Sequence, residues 1–298
     1  MAVYKRTYKA YSGPLTPAWS RFTVLTRHGL STLFDSRPFA AYTVLCFLPF
    51  LVGLAYIYFF QSAAAQAILG VRMGNNTPGQ INNDWFLGFI GVEAGMGFIL
   101  AAWGGPGMIT KDFANHSVQL YLSRPISRTE YLFGKVSVLA ALLSCTTWIP
   151  ALLLFFVKAE LQGHGWLWEN LWMAGSIVLS CLIWIAMISL ISMAVAVWVK
   201  WRIAATALML GIFFLLPAVA AILNAILRTQ WGNVLNITHM ITLVWMRLFR
   251  ITPLGPGGMG PGFYVVPLWA AWASLLTTCA VCFWLLDRKL RAREVERS

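Results

Sequence analysis

Six long apolar runs, separated by polar or glycine-rich stretches, set the pattern of this chain: Phe39 to Phe60, Trp85 to Gly104, Val136 to Val157, Ala174 to Val199, Ile203 to Ala225 and Tyr264 to Leu286. A helix rises about 1.5 Å per residue and bilayer hydrocarbon is about 30 Å thick, so about 20 apolar residues cross it. Each run is that long, and Glu93 is the one charged residue inside them. Leu, Ile, Ala and Phe dominate without the two-residue alternation of a membrane barrel strand. The pattern predicts an all-α polytopic membrane protein with six transmembrane helices. Residues 1–298 read as a single transmembrane domain: an arm (1–38), a six-helix region (39–286) with a polar loop at 105–135, and a basic tail (287–298).

The arm carries a helix of its own. Phe22, Leu25, Gly29, Leu33 and Phe34 recur at helical spacing while Arg21, Arg27, Ser31 and Asp35 lie off that stripe. Thr16 and Pro17 suit its start and Pro38 its end. An amphipathic helix in the membrane interface, apolar face towards lipid, is expected. Within the spans, Gly91 and Gly95 have GxxxG spacing, and Ser176 and Ser180 lie one turn apart; both pairs are expected at close helix contacts. Pro49, Pro150 and Pro217 each remove a backbone donor and favour a kink. In the longest outer stretch, 228–263, an amphipathic portion around Val234 to Phe249 precedes PLGPGGMGPG, which reads as a connector or, more sharply, a gate.

Composition agrees: 59% hydrophobic and 11% charged residues, with a mean hydropathy of +0.70, lie far from a soluble domain. Charge sets the orientation, because short basic segments stay on the cytoplasmic side. With both termini inside, all but five of the 22 Lys and Arg residues (Arg72, Lys158, Arg228, Arg247 and Arg250) face the cytoplasm. The net charge of +12 therefore reads as a topology signal with affinity for membrane lipid, and not as a nucleic-acid footprint. No cleavable signal peptide is expected. Cys46, Cys145, Cys181, Cys279 and Cys282 all fall in apolar runs and read as packing residues, the CxxC spacing of the last two included.

Catalytic motifs are sparse. No GxxxxGK[ST] phosphate loop and no GxSxG occur, and His28, His116, His164 and His239 are scattered over different loops. No cofactor is expected on this chain, and an ATP-driven process would need its ATPase elsewhere. Glu93 is the candidate for a transport path, since a buried charge costs several kcal/mol unless it is paired, protonated or facing water. The plainer reading is a hydrogen bond to a neighbouring span.

The loop is more informative. From Ile109 to Leu122 polar residues alternate with Phe113, Val118, Leu120 and Tyr121, fitting a short helix parallel to the membrane that Ser123-Arg124-Pro125 ends. Ser127 and Glu130 have capping-box spacing, so a new helix runs from there through Gly134-Lys135 into span three.

The run LYLSRPISRTEYLFGK, Leu120 to Lys135, preceded by Ile109, Asp112 and Phe113, resembles the loop before the third span in permease subunits of ABC-type exporters. It is similar to six-span permeases of the type-2 export class, including those linked to multi-copper-enzyme maturation. RFTVLTRHGLSTLFDSR resembles that family's interfacial elbow helix. Lys111-Asp112 stands at the family's acidic site, and His116-Ser117 replaces its Gly-Thr pair. The resemblance implies a multi-pass subunit of a bacterial inner membrane. Its partners would be ATP-binding subunits, which carry ATP and Mg, and a second permease copy. The loop would be a coupling helix contacting the ATPase through Lys111, Asp112, Phe113, His116, Leu120, Tyr121 and Arg124. Lys200 and Arg202, in the turn between spans four and five, are a second ATPase contact or a basic lipid anchor. Two other classes stay open: an ion- or proton-coupled carrier using Glu93, and a non-transporting membrane scaffold.

Overall fold

The computed structural model describes residues 21–61, 81–114, 128–199, 201–251 and 266–295, and every regular element among them is a helix. Helix α1 (Arg21–Phe34) precedes a first span made of two segments, α2 (Arg37–Leu45) and α3 (Leu48–Gln61). Span two is one helix, α4 (Asn83–Ala114), and span three is divided into α5 (Arg128–Thr146) and α6 (Trp148–Gln162). Spans four and five are α7 (His164–Trp198) and α8 (Arg202–Leu227). A 3₁₀ turn (Trp231–Leu235) leads into the short helix α9 (Ile237–Leu248), and α10 (Leu268–Val295) is the sixth span. Six helices are thus long and apolar enough to cross a membrane. An even number of crossings puts α1, the α4–α5 junction, the α7–α8 turn and the end of α10 on one side of the bilayer.

Proline accounts for the divided spans. Pro49 cannot donate to the Leu45 carbonyl four residues back, and the first span breaks just upstream, at Cys46 and Phe47. Pro150 likewise leaves the Thr146 carbonyl without a donor, and Thr147 leaves helical geometry at φ −116°, ψ −85°. The Thr147 hydroxyl turns back to donate to the Leu143 carbonyl at 2.7 Å. Pro217 does not divide its span: α8 is assigned helical throughout.

Helix α7 is the hub. It packs against α4, α5, α6, α8, α9 and α10, and its small residues permit this approach. A Cβ on Gly105 of α4 would fall 2.0 Å from the Ser192 hydroxyl of α7. Span five, by contrast, lies at the periphery and exposes Ile203, Phe214, Leu215 and Ile226. Apolar side chains turned outward are what hydrocarbon solvates.

Three expectations change. Residues 105–114 are not loop: α4 runs through them for about 48 Å by helical rise, and Ile109 is fully buried instead of lying on a solvent-facing helix. Gly104, Gly105 and Gly107 are the reason, because each sits against a neighbouring side chain (Phe39, Ser192 and Arg202) where a larger residue would collide. The arm helix α1 turns its stripe onto protein and not onto lipid: a Cβ on Gly29 would lie 2.6 Å from Val138 of α5, and Leu25 is buried. Gly91 and Gly95 meet no neighbouring helix within the described residues, since a Cβ at either would find nothing within 4 Å. Among the described residues of the single chain their GxxxG spacing borders a cavity. Ser176 does make its close contact, donating to the Leu248 carbonyl of α9 at 2.9 Å.

The amphipathic stretch near Val234 to Phe249 is the docked helix α9. At about 18 Å it is too short to cross, and Asn236 caps its start by accepting from the His239 amide. Trp245 donates to the Ser180 carbonyl, and Asn83 to the Phe249 carbonyl. The PLGPGGMGPG run, residues 253–262, lies outside the described residues.

Candidate functional site

The chemistry-bearing side chains gather where α1, α4, α5 and α8 meet at one end of the bundle. Asp112, two residues before the end of α4, pairs with Lys135 of α5 at 2.8 Å. Tyr131, one turn before Lys135 on the same helix and almost fully buried, donates its hydroxyl to the same carboxylate oxygen at 2.9 Å. The i, i+4 spacing of Tyr131 and Lys135 puts both on one face of α5, and the ammonium lies 5.9 Å from the Tyr131 ring centre. Lys135 is 7% exposed and Asp112 14%, so the pair is withdrawn from bulk water. A buried charge in that setting is tolerable only with its partner present.

A second tie joins α4 to α8. Pro106 lacks the amide hydrogen that would bond the Ala102 carbonyl, and the Thr206 hydroxyl of α8 donates to that carbonyl instead, at 3.0 Å. One residue on, the Arg202 guanidinium donates to the Trp103 carbonyl at 3.3 Å and lies over Gly107. Helix α1 is fastened as well, its Thr26 hydroxyl donating to the Gly134 carbonyl of α5 at 3.2 Å. These elements enclose a cavity of about 140 Å³, lined by His28, Ser36, Phe39, Trp103, Asp112, Lys135 and Arg202 among others.

Sequence reasoning singled out Asp112 and Arg202 as outward-facing contacts. The structure turns Asp112 onto Lys135, while Arg202 stays exposed as it donates to the Trp103 carbonyl. Lys111 and Phe113 lie in α4 with side chains outside the described set, and His116, Leu120, Tyr121, Arg124 and Lys200 fall outside the described residues. Tyr131, Lys135 and Thr206 were missed. Only Pro106 offered a signal, since a proline inside a helix advertises an unsatisfied carbonyl four residues earlier.

Glu93 is placed elsewhere. It is 1% exposed, neither carboxylate oxygen has a hydrogen-bond partner among the described residues, and the thiols of Cys46 and Cys181 are in electrostatic range. Cys46 belongs to the break in span one, and Cys181 faces Thr147 at the break in span three. The carboxyl therefore sits where two spans lose helical continuity. It does not line the larger apolar cavity of about 320 Å³, which is walled by Gly91, Gly95, Phe98, Trp184, Phe213 and Trp245 with their neighbours.

Six apolar spans, a peripheral helix at one end and a docked short helix at the other define a multi-pass membrane protein, and its sequence carries no nucleotide-binding motif. A family model described as ABC-2 family transporter protein matches residues 25–289, and the chain belongs to that family. It is accordingly a permease component of an ABC transporter, a membrane subunit whose family normally partners with ATP-binding subunits. No curated protein compared with it matches.

Proposed function

We propose that this permease couples ATP hydrolysis by a separate ATPase subunit, which holds ATP and Mg, to export across a bacterial inner membrane, with a second permease copy completing the pathway. The observation that carries the reading is the double tie at the α4 end. Asp112–Lys135 fastens span two to span three, and Thr206–Ala102 fastens span two to span five. A partner that pushes on residues 115–127 therefore moves three spans together. Lys111, Phe113, His116, Leu120, Tyr121 and Arg124 supply the partner-facing chemistry in this proposal, and Lys200 a basic flank.

The deciding experiment is affinity purification of the full chain from its native membrane with whatever ATP-binding subunit accompanies it, followed by ATP turnover in proteoliposomes. Turnover stimulated by the permease, and abolished by Phe113→Asp without loss of the complex, is the expected result. Absence of any ATPase from the purified assembly, or stimulation that survives the substitution, overturns it. A proton- or ion-coupled carrier has one supporting observation, the burial of Glu93 with no hydrogen-bond partner among the described residues. Membership of an ATP-driven family favours the first reading.

A further inference from the structure

We propose that the cavity between α1, α4, α5 and α8 is a binding site for the phosphate headgroup of an anionic phospholipid, held by Arg202 and Lys135. Size argues first. At about 140 Å³ the cavity is well below the roughly 300 Å³ at which pockets for whole drug-sized ligands begin, so it takes a single small group. Charge comes next. The titratable groups facing it are His28 from α1, Asp112 from α4, Lys135 from α5 and Arg202 from α8. Asp112 neutralises Lys135, so Arg202 leaves one positive charge in excess even with His28 neutral. That arrangement favours an anion.

Donor supply agrees. Among the described residues the Arg202 guanidinium makes one hydrogen bond, to Trp103, out of five N–H groups. The Lys135 ammonium has three hydrogens and a single ion-pair partner. The Ser36 hydroxyl, at the start of α2, makes no capping bond. Helix α8 also begins at this rim without a side-chain cap, which adds a favourable field for an anion.

The apolar surroundings select a lipid over a free phosphate. Phe39 and Trp103 form an edge-to-face pair, 6.0 Å between centres, along one wall of the cavity. On the outside, Arg202 is flanked by Trp201 and Ile203, exposed to 79% and 85%. An acyl chain leaving the headgroup meets those side chains directly, whereas inorganic phosphate gains nothing from them. Basic pockets at the ends of membrane helices hold anionic headgroups in this way.

The test uses the full-length chain in neutral detergent, without the ATPase, so its outcome is separable from the coupling proposal. Native mass spectrometry and thermal shift are recorded with phosphatidylglycerol, phosphatidylcholine and inorganic phosphate. Preferential retention of phosphatidylglycerol is expected, with Arg202→Ala weakening it roughly fivefold to tenfold. Arg202→Gln, which can still donate to the Trp103 carbonyl, serves if the alanine variant does not fold and should weaken retention similarly. Arg288→Ala, which removes an exposed guanidinium stacked on Trp284 away from the cavity, should leave retention unchanged. Equal loss in the Arg202 and Arg288 variants, or none in either, overturns the site. Stabilisation by inorganic phosphate equal to that by phosphatidylglycerol overturns the lipid assignment.

Discussion

The Thr206 hydroxyl donates to the Ala102 carbonyl, 3.0 Å away, and Ala102 stands four residues before Pro106. A side chain on span five thus repairs the one helical hydrogen bond that span two cannot make for itself. In hydrocarbon no water is available for the same repair, so the two spans are joined by an obligation of span two's own sequence.

Replacing Thr206 by Val removes the donor at nearly constant volume, and should cost about 1 kcal/mol of stability, while Thr206→Ser should cost little. Pro106→Ala restores a local amide for Ala102. In that background the cost of Thr206→Val should shrink, and the measurement is a double-mutant cycle on thermal stability. Additive effects would show that the hydroxyl is not serving that carbonyl.

Asp112→Asn leaves the Lys135 ammonium buried beside a neutral amide. A loss of about 3 to 5 kcal/mol follows from stranding a buried charge. The double replacement Asp112→Leu with Lys135→Met should recover most of that stability, because matched apolar pairs replace buried ion pairs well. Permease-stimulated ATP turnover should stay low in the double variant if the charges serve coupling; full recovery of turnover together with stability would make the pair structural.

Glu93→Gln keeps the shape of the side chain and removes its ability to ionise. Assembly of the purified protein should be unaffected, as gel filtration and melting would report, since no hydrogen bond is lost among the described residues. Transport is the informative readout: if the carboxyl serves a proton or cargo path, flux falls severalfold or more in the intact protein, while unchanged flux assigns Glu93 to packing.

Substitutions at two glycines of α4 should diverge. Gly91→Leu projects into the 320 Å³ cavity, where a Cβ meets nothing within 4 Å, so the protein should fold with unchanged melting. Gly105→Ala drives a methyl against Ser192 and Leu139 and should cost about 1 to 3 kcal/mol. Reduced transport in the well-folded Gly91 variant would identify the cavity as part of the working path.

Six spans and the helix before the first were legible along the chain, because a 30 Å apolar solvent demands long apolar helices whatever their neighbours, though α4 extends ten residues past Gly104 and α7 begins ten before Ala174. The capping spacing at Ser127 to Glu130 likewise placed the start of α5 at Arg128, and the stripe around Val234 to Phe249 anticipated α9. What periodicity cannot carry is the identity of a helix's neighbour. Leu25 and Gly29 form an apolar stripe whether lipid or Val138 covers it, and Gly91 and Gly95 have the same spacing beside a cavity as at a contact. The Gly104-Gly105-Pro106-Gly107 segment reads as a break by local propensity, yet α4 continues through it. There, tertiary structure supplies what the local chain lacks: Thr206 for the lost hydrogen bond, and Phe39, Ser192 and Arg202 packed into the space that missing side chains leave.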